Sequence, residues 1–215
     1  SSAASDVYKR QAMECIEEIN KDVRVSVAHT AADYDVAKKA FEKGARQVTH
    51  LYNGMNPFHH REPGVVGAAC DNENVMVELI VDGIHSHPAT VRTTFKMFGD
   101  DRIILISDSM MACGLEDGQY TLGGLDVTVR GNKATLTKEG NIAGSVTNLM
   151  NCVRCAVKKM DIPLESAIKC ATVNPAKAIG IYDRFGSLDT GKRANIVLLD
   201  KDLEVKYVIK DGKIV

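Results

Sequence analysis

No run of eighteen apolar residues occurs in this chain, which excludes a helical membrane span of ordinary length. No signal-peptide pattern stands at its start. An excess of either charge is missing too: 27 Lys and Arg face 28 Asp and Glu, for a formal net charge of −1. That balance supplies no electrostatic reason to expect nucleic acid or an anionic membrane surface as partner. A disulfide framework is also lacking. The six cysteines (Cys15, Cys70, Cys113, Cys152, Cys155 and Cys170) are scattered, as reduced thiols in a cytoplasmic protein are. Cys152 and Cys155 form a CxxC with no second pair to complete a four-cysteine zinc site. Inside a helical pattern they read as two packed thiols rather than a redox or metal motif.

What is present is ordinary for a globular chain: 215 residues, 45% hydrophobic and 26% charged. That length holds one large domain or two small ones. From residue 11 helical and strand patterns alternate: helix over 12–20, strand over 23–28, helix over 34–43 with Gly44 as C-cap, strand over 47–49. A long loop rich in Asn, Pro, His and Gly follows. Residues 75–81 read as a strand pair, and Pro88 opens a helix. Residues 103–107 are almost continuously apolar, as in a strand buried on both faces. Such alternation predicts an α/β fold with a parallel sheet.

Beyond Asp108 the pattern changes. Residues 120–137 alternate apolar and polar around Gly123-Gly124 and Gly131-Asn132, which predicts antiparallel hairpins inserted into the barrel. Helices are predicted over 145–160 and 163–170, and in a last one Asn174 suits the N-cap and Pro175 the first turn. Residues 191–215 read as a small β segment with an Asp211-Gly212 turn. About four β/α units are half of a (β/α)₈ barrel. The expected architecture is therefore the C-terminal half of a TIM-type barrel, over 12–190, plus a small C-terminal β appendage. A half barrel leaves open strand edges, so truncation at the N-terminus is expected. Residues 1–11, SSAASDVYKRQ, resemble a translated adapter leader, with native sequence beginning near Ala12; a disordered natural N-terminus is the alternative.

Three predicted strands end on residues that bind metals or move protons: His29, His50 and Asp108. In a parallel α/β barrel those ends share one face, and that face carries the chemistry. A lone histidine is more often a satisfied polar residue. Two on neighbouring strands point at one mouth, where imidazole suits zinc or ferrous iron. Asp108 would stand beside the metal's water as acid and base, or else serve as a turn or cap residue.

The segments Val25-Ser-Val-Ala-His-Thr30, Val48-Thr-His-Leu-Tyr-Asn-Gly-Met-Asn-Pro57, Arg61-Glu-Pro-Gly64, Val81-Asp-Gly-Ile-His85 and Leu105-Ile-Ser-Asp108 resemble the N-acetylglucosamine-6-phosphate deacetylase family of the amidohydrolase superfamily. The closing stretches 171–180 and 186–197 are similar to the superfamily's usual ending, so the resemblance spans 12–215. It implies metal-dependent hydrolysis of the N-acetyl group of N-acetylglucosamine 6-phosphate by a cytoplasmic homodimer. By position it implies that His29 and His50 are metal ligands, that Asp108 is the acid/base, and that His85 contacts substrate near the scissile amide. Asn53 and Gly54 would hold the sugar phosphate, Arg61 would reach the same phosphate across the dimer, and Ile142, Ala143 and Gly144 would close over substrate. Without the resemblance, His85 reads as a solvated loop histidine, Arg61 as a surface charge and 142–144 as a turn. His59, His60 and His87 have no match in the family and read as loop residues.

One departure stands out. The family's third protein ligand is a glutamate from an earlier strand, and no glutamate here occupies a matching motif. Two histidines alone bind metal weakly, so the chain by itself is expected to be inactive. Two alternatives remain at this stage: another amidohydrolase, of the dihydroorotase or cyclic-amidase kind, and a non-catalytic half barrel that self-associates through its open edges.

Overall fold

The computed structural model describes residues 10–215. Most of the predicted 1–11 leader lies outside them, and Arg10 and Gln11 open the first helix, α1 (Arg10–Ile19). Four parallel strands then alternate with helices: β1 (Ser26–Val27), α2 (Tyr34–Glu42), β2 (Gln47–Val48), α3 (Gly64–Cys70), β3 (Met76–Ile80), α4 (Pro88–Phe98) and β4 (Ile103–Ile106). They form one sheet in the order β1-β2-β3-β4. This is a partial barrel of the α/β type.

Its core lies between sheet and helices. Val27, Val48, Val77, Leu79, Ile103 and Leu105 of the strands are buried against Ala37, Phe41, Val66 and Val91 of the helices. Each large aliphatic buried this way contributes roughly 1.5–3 kcal/mol. A single strand, not a pair, occupies the 75–81 region, because no turn residue interrupts the run that pairs with β4 from Val77 to Ile106. The 50–74 segment is not one long loop either, since it contains α3. Residues Gly64 to Ala69 of that helix are all buried, so it has no polar face and no helical periodicity to read. Its Gly67 backs onto Pro63, where a Cβ would stand 2.5 Å from the proline Cβ.

After β4 comes an antiparallel sheet of β5 (Gly118–Leu122), β6 (Leu125–Arg130) and β7 (Lys133–Leu136). Its inner residues Val127, Val129 and Ala134 form a second small core with Met110, Ala112 and Ala143. That core pins the segment following Asp108. Helix α5 (Leu149–Met160) begins later than predicted: residue 145 instead bridges Ser109, and the Asn148 side chain caps α5 by accepting from the Asn151 N–H. Helices α6 (Leu164–Ala171) and α7 (Val173–Ala178) follow. Asn174 is not the N-cap, which falls at Thr172. Its buried amide instead donates to the carbonyls of Asp100 (2.7 Å) and Ile103 (2.6 Å), tying α7 to the start of β4. Gly44, with φ 117, lies one residue beyond the α2 C-cap, Lys43. His87 is the α4 N-cap, its Nδ1 accepting from the Ala89 N–H, with Pro88 at the first helical position.

The tail forms a third sheet from β8 (Ile196–Leu199), β9 (Val205–Lys210) and β10 (Lys213–Ile214). Asp211 (φ 49) and Gly212 (φ 80) make its tight turn. Arg154 of α5 fastens this sheet's β8–β9 loop by donating to the Leu203 carbonyl and pairing with Glu204. All six cysteines are free thiols. Burial pushes the Cys152 thiol up to about 12, which suits a packed side chain and not a redox or metal centre.

Candidate active site

Parallel pairing of β1 with β2, Ser26 against Gln47 and Val27 against Val48, places the two strand exits side by side. The chain then turns sharply. His29 (φ 43), His50 (φ 33) and Asp108 (φ 48) all adopt left-handed backbone, a conformation that disfavours residues bearing a Cβ. Strain of this kind gathers where geometry serves function. It turns the two imidazoles toward each other: Nε2 of His50 lies 2.8 Å from Nε2 of His29, with the rings edge-to-face at 87°. Gly54 (φ 64) closes the β2 loop against the back of His29, where a Cβ would stand 2.7 Å from its Nδ1. Burial and the neighbouring His50 lower the His29 pKa, opposed by the carboxylate of Asp108, so the ring is neutral and its lone pair is available at neutral pH.

These two rings fit a divalent metal as a pair of ligands. Nitrogens at 2.0–2.1 Å from a tetrahedral metal stand about 3.3 Å apart, so the pair has to open by roughly 0.5 Å. His50 Nδ1 is buried without a hydrogen-bond partner, so Nε2 carries this ring's polar contact. Among the described residues no group of three His, Cys, Asp or Glu side chains gathers to hold a metal. The pair is one ligand short of the three protein donors usual in catalytic zinc sites.

Asp108 lies exposed at the end of β4. Its carbonyl accepts from the Ser145 N–H at 2.9 Å, and the Met110 N–H donates to the Ser145 carbonyl at 2.8 Å. Those bonds bring the 142–144 segment to Asp108: a Cβ on Gly144 would stand 3.6 Å from the Asp108 carbonyl oxygen. Ala143 is buried in the small core and Ile142 is exposed, bridged to Thr135.

His85 is not a solvated loop residue. Its side chain is 6% exposed and its Nδ1 lies 2.7 Å from Asp82 Oδ2. Asp82 Oδ1 accepts from the backbone N–H of Ile84 (2.8 Å) and of His85 (2.9 Å). Burial alone would raise the Asp82 carboxyl, but these three donors hold it below its ordinary value. The carboxylate therefore fixes the proton of His85 on Nδ1 and leaves Nε2 free. Asp82 escaped the sequence reading, although its three-residue spacing to His85 was the available signal.

Asn53 sits in the His50 loop. Its side-chain amide donates to the carbonyls of His50 and Leu51, both at 3.2 Å, so it shapes the turn as it stands. Arg61 is not gathered with the others. It is exposed in a cleft with Asp33, Tyr34, Asn56, His59 and Glu62, and its Nη1 stands 2.7 Å from His60 Nε2.

Residues 3–215 match the amidohydrolase family. The chain belongs to that family. The N-acetylglucosamine-6-phosphate deacetylase of Bacillus subtilis (strain 168) is 42% identical over 195 residues, which are 91% of this chain and 49% of the relative. The N-acetylgalactosamine-6-phosphate deacetylase of Escherichia coli O157:H7 is 38% identical over 207 residues, covering 96% of this chain and 54% of its own length. Among solved structures, the D267A mutant of the Mycobacterium smegmatis N-acetyl-D-glucosamine-6-phosphate deacetylase, in complex with N-acetyl-D-glucosamine-6-phosphate, superposes with a TM-score of 0.92. It is 38% identical, over 97% of this chain and 55% of that one. The chain thus spans about half the length of the curated relatives it matches.

Proposed function

We propose that this chain carries the histidine pair and the acid/base of an N-acetylglucosamine-6-phosphate deacetylase. The observation that carries the reading is the meeting of His29 and His50 at 2.8 Å at the mouth of the sheet that also ends in Asp108. A divalent metal held by the two rings, zinc or iron, supplies Lewis acidity and lowers the pKa of water toward 7. Asp108 takes a proton from the water that attacks the acetamide carbonyl, and His85, its ring held by Asp82, contacts the substrate near the scissile amide. The C–N bond then breaks, and Asp108 returns the proton to the leaving nitrogen. The products are acetate and glucosamine 6-phosphate.

Gly54, in the loop that backs His29, offers its N–H to the phosphate, and Asn53 keeps that loop in shape. Arg61 stands apart from the histidines and is exposed, which suits a guanidinium reaching the phosphate held by a second copy in a homodimer. Ile142, Ala143 and Gly144, tied to Asp108 through Ser145, close over the sugar. Free thiols fit a cytoplasmic setting, and no described helix is long and apolar enough to cross a membrane. With two protein donors of its own, the isolated chain holds metal weakly and turns over little.

The test is a chimera in which this chain replaces the matching half of the Bacillus subtilis relative, assayed beside the isolated chain with added zinc or iron. Acetate release from N-acetylglucosamine 6-phosphate is expected from the chimera. Inactivity with either metal in a folded chimera sinks the reading, and faster release from the galactosamine epimer reassigns the sugar.

A further inference from the structure

The loop after β2 carries a distortion that the proposed reaction does not use. Tyr52, two residues past His50, holds φ 77, a value rare for a bulky side chain. Such a residue persists where its surroundings over-determine it. Helix α4 supplies those surroundings. The Tyr52 ring packs, partly buried, against the main core, and its hydroxyl lies 2.7 Å from Thr94 Oγ1. Thr94 is fully buried and gives its one hydroxyl hydrogen to the Thr90 carbonyl, 2.8 Å away and one turn back along the helix. Its oxygen is then an acceptor alone, so Tyr52 is the donor.

Three bonds therefore hold this loop. The Leu51 N–H donates to the Glu78 carbonyl of β3 at 2.8 Å, the Tyr52 hydroxyl to α4, and the Asn53 N–H back to the His50 carbonyl at 2.9 Å. Of the three, that of Tyr52 alone is made by a side chain. At one end of the pinned segment is His50, whose Nε2 meets that of His29. At the other is Gly54, so close behind the His29 ring that a Cβ would stand 2.7 Å from its Nδ1.

We propose that Tyr52 is a positioning residue for the histidine pair: donated to Thr94, its hydroxyl pins the 50–54 loop to α4 and brings His50 and Gly54 together onto His29. Loss of the hydroxyl lets Tyr52 relax toward ordinary backbone, which turns His50 from its partner and draws Gly54 off the back of the His29 ring. The consequence for a metal rests on the metal-site reading above; the pin itself does not.

Zinc is the probe, with affinity read by competition with a chromophoric chelator on the full chain. Tyr52→Phe and Thr94→Val each remove the bond while keeping the packing shape, and each is expected to weaken zinc binding roughly tenfold, the low end for groups that orient metal ligands. The double variant should fall no further than the weaker single, because both changes delete one bond. Thr94→Ser keeps the acceptor and should bind within about threefold of the parent. The second readout needs no metal. Amide hydrogen exchange at Asn53 should be slow in the parent and in Thr94→Ser, and fast in Tyr52→Phe, while Leu51, bonded to β3, stays slow in all of them. Parent-like zinc affinity in a folded Tyr52→Phe overturns the proposal, and so does a Thr94→Ser as weak as Thr94→Val. Equal acceleration at Asn53 and Leu51 marks general loosening and overturns it too. A fast Asn53 amide in the parent does the same, and decides the matter where the variants fail to fold. A parent that binds no zinc, while its Asn53 amide responds to Tyr52→Phe as expected, removes the metal-site reading and leaves the pin.

Discussion

The two ends of the parallel sheet follow opposite rules. At the end where β1, β2 and β4 exit, three residues with a Cβ hold left-handed backbone and a buried imidazole nitrogen has no partner. At the other end polar groups are satisfied. The Arg102 guanidinium donates to the carbonyls of Ala69, Cys70 and Asn72, and Lys169 pairs with Asp100 and Asp101. Asn174 spends its amide on two carbonyls of the same corner. One end stores strain and exposes lone pairs; the other removes both. In barrels of this kind chemistry sits at the first end and stability at the second.

Mutations should separate the two ends. The largest effect is expected from Asp108→Asn in the chimera, a loss of roughly 10²–10⁴ in kcat with an unchanged melt, since general acid–base catalysis contributes about that much. Retention of more than a tenth of the rate would remove Asp108 from the chemistry. Next, Asn174→Ala should lower unfolding free energy by about 1–3 kcal/mol, because it strips the buried Ile103 carbonyl of its side-chain donor and leaves the part-buried Asp100 carbonyl only the Cys170 thiol. Its zinc affinity should stay at the parent value; a parallel loss of both would show that the ends are coupled.

His50→Gly should do the reverse. Zinc affinity should fall at least tenfold, while glycine accepts the positive φ and recovers about 1 kcal/mol of backbone strain. Denaturant unfolding that shows a loss of stability would mean the turn is not strained.

The smallest effect concerns pH. The folded Asp82 carboxyl titrates below its ordinary value of 3.8, so its contribution is full above that value and is lost as pH falls through the lower, folded one. The stability gap between the parent and Asp82→Asn should therefore close on acidification below about pH 4. A gap that persists at pH 2 contradicts the assigned hydrogen bonds.

Much of this contrast was legible in the sequence. Strand-end histidines and an aspartate after β-branched runs predicted the parallel sheet and its mouth, because a strand's apolar run and its terminal residue are both local. The small sheet after Asp108 was legible for the same reason, through alternation around glycine turns. Helix α3 was not, since a helix buried on every side has no periodicity to detect. Asn174 looked like a cap because Asn-Pro suits one locally; only the fold reveals that β4 offers its amide better acceptors. Asp82 was missed for a related reason. Its role lies in a hydrogen bond to a ring three residues on, a partnership that residue type alone does not mark.

The distribution of thiols has a practical consequence for anyone handling the protein. Cys15 is exposed on α1, whereas Cys152, Cys155 and Cys170 are buried, with burial raising all three pKa values. Thiolate is the species that oxidises, so air attacks the surface before the interior. Storage without reductant will accordingly join two copies through Cys15, a covalent pair on α1 that a sizing column reports as a dimer. The proposed homodimer has to be tested in the presence of reductant, or with Cys15→Ser.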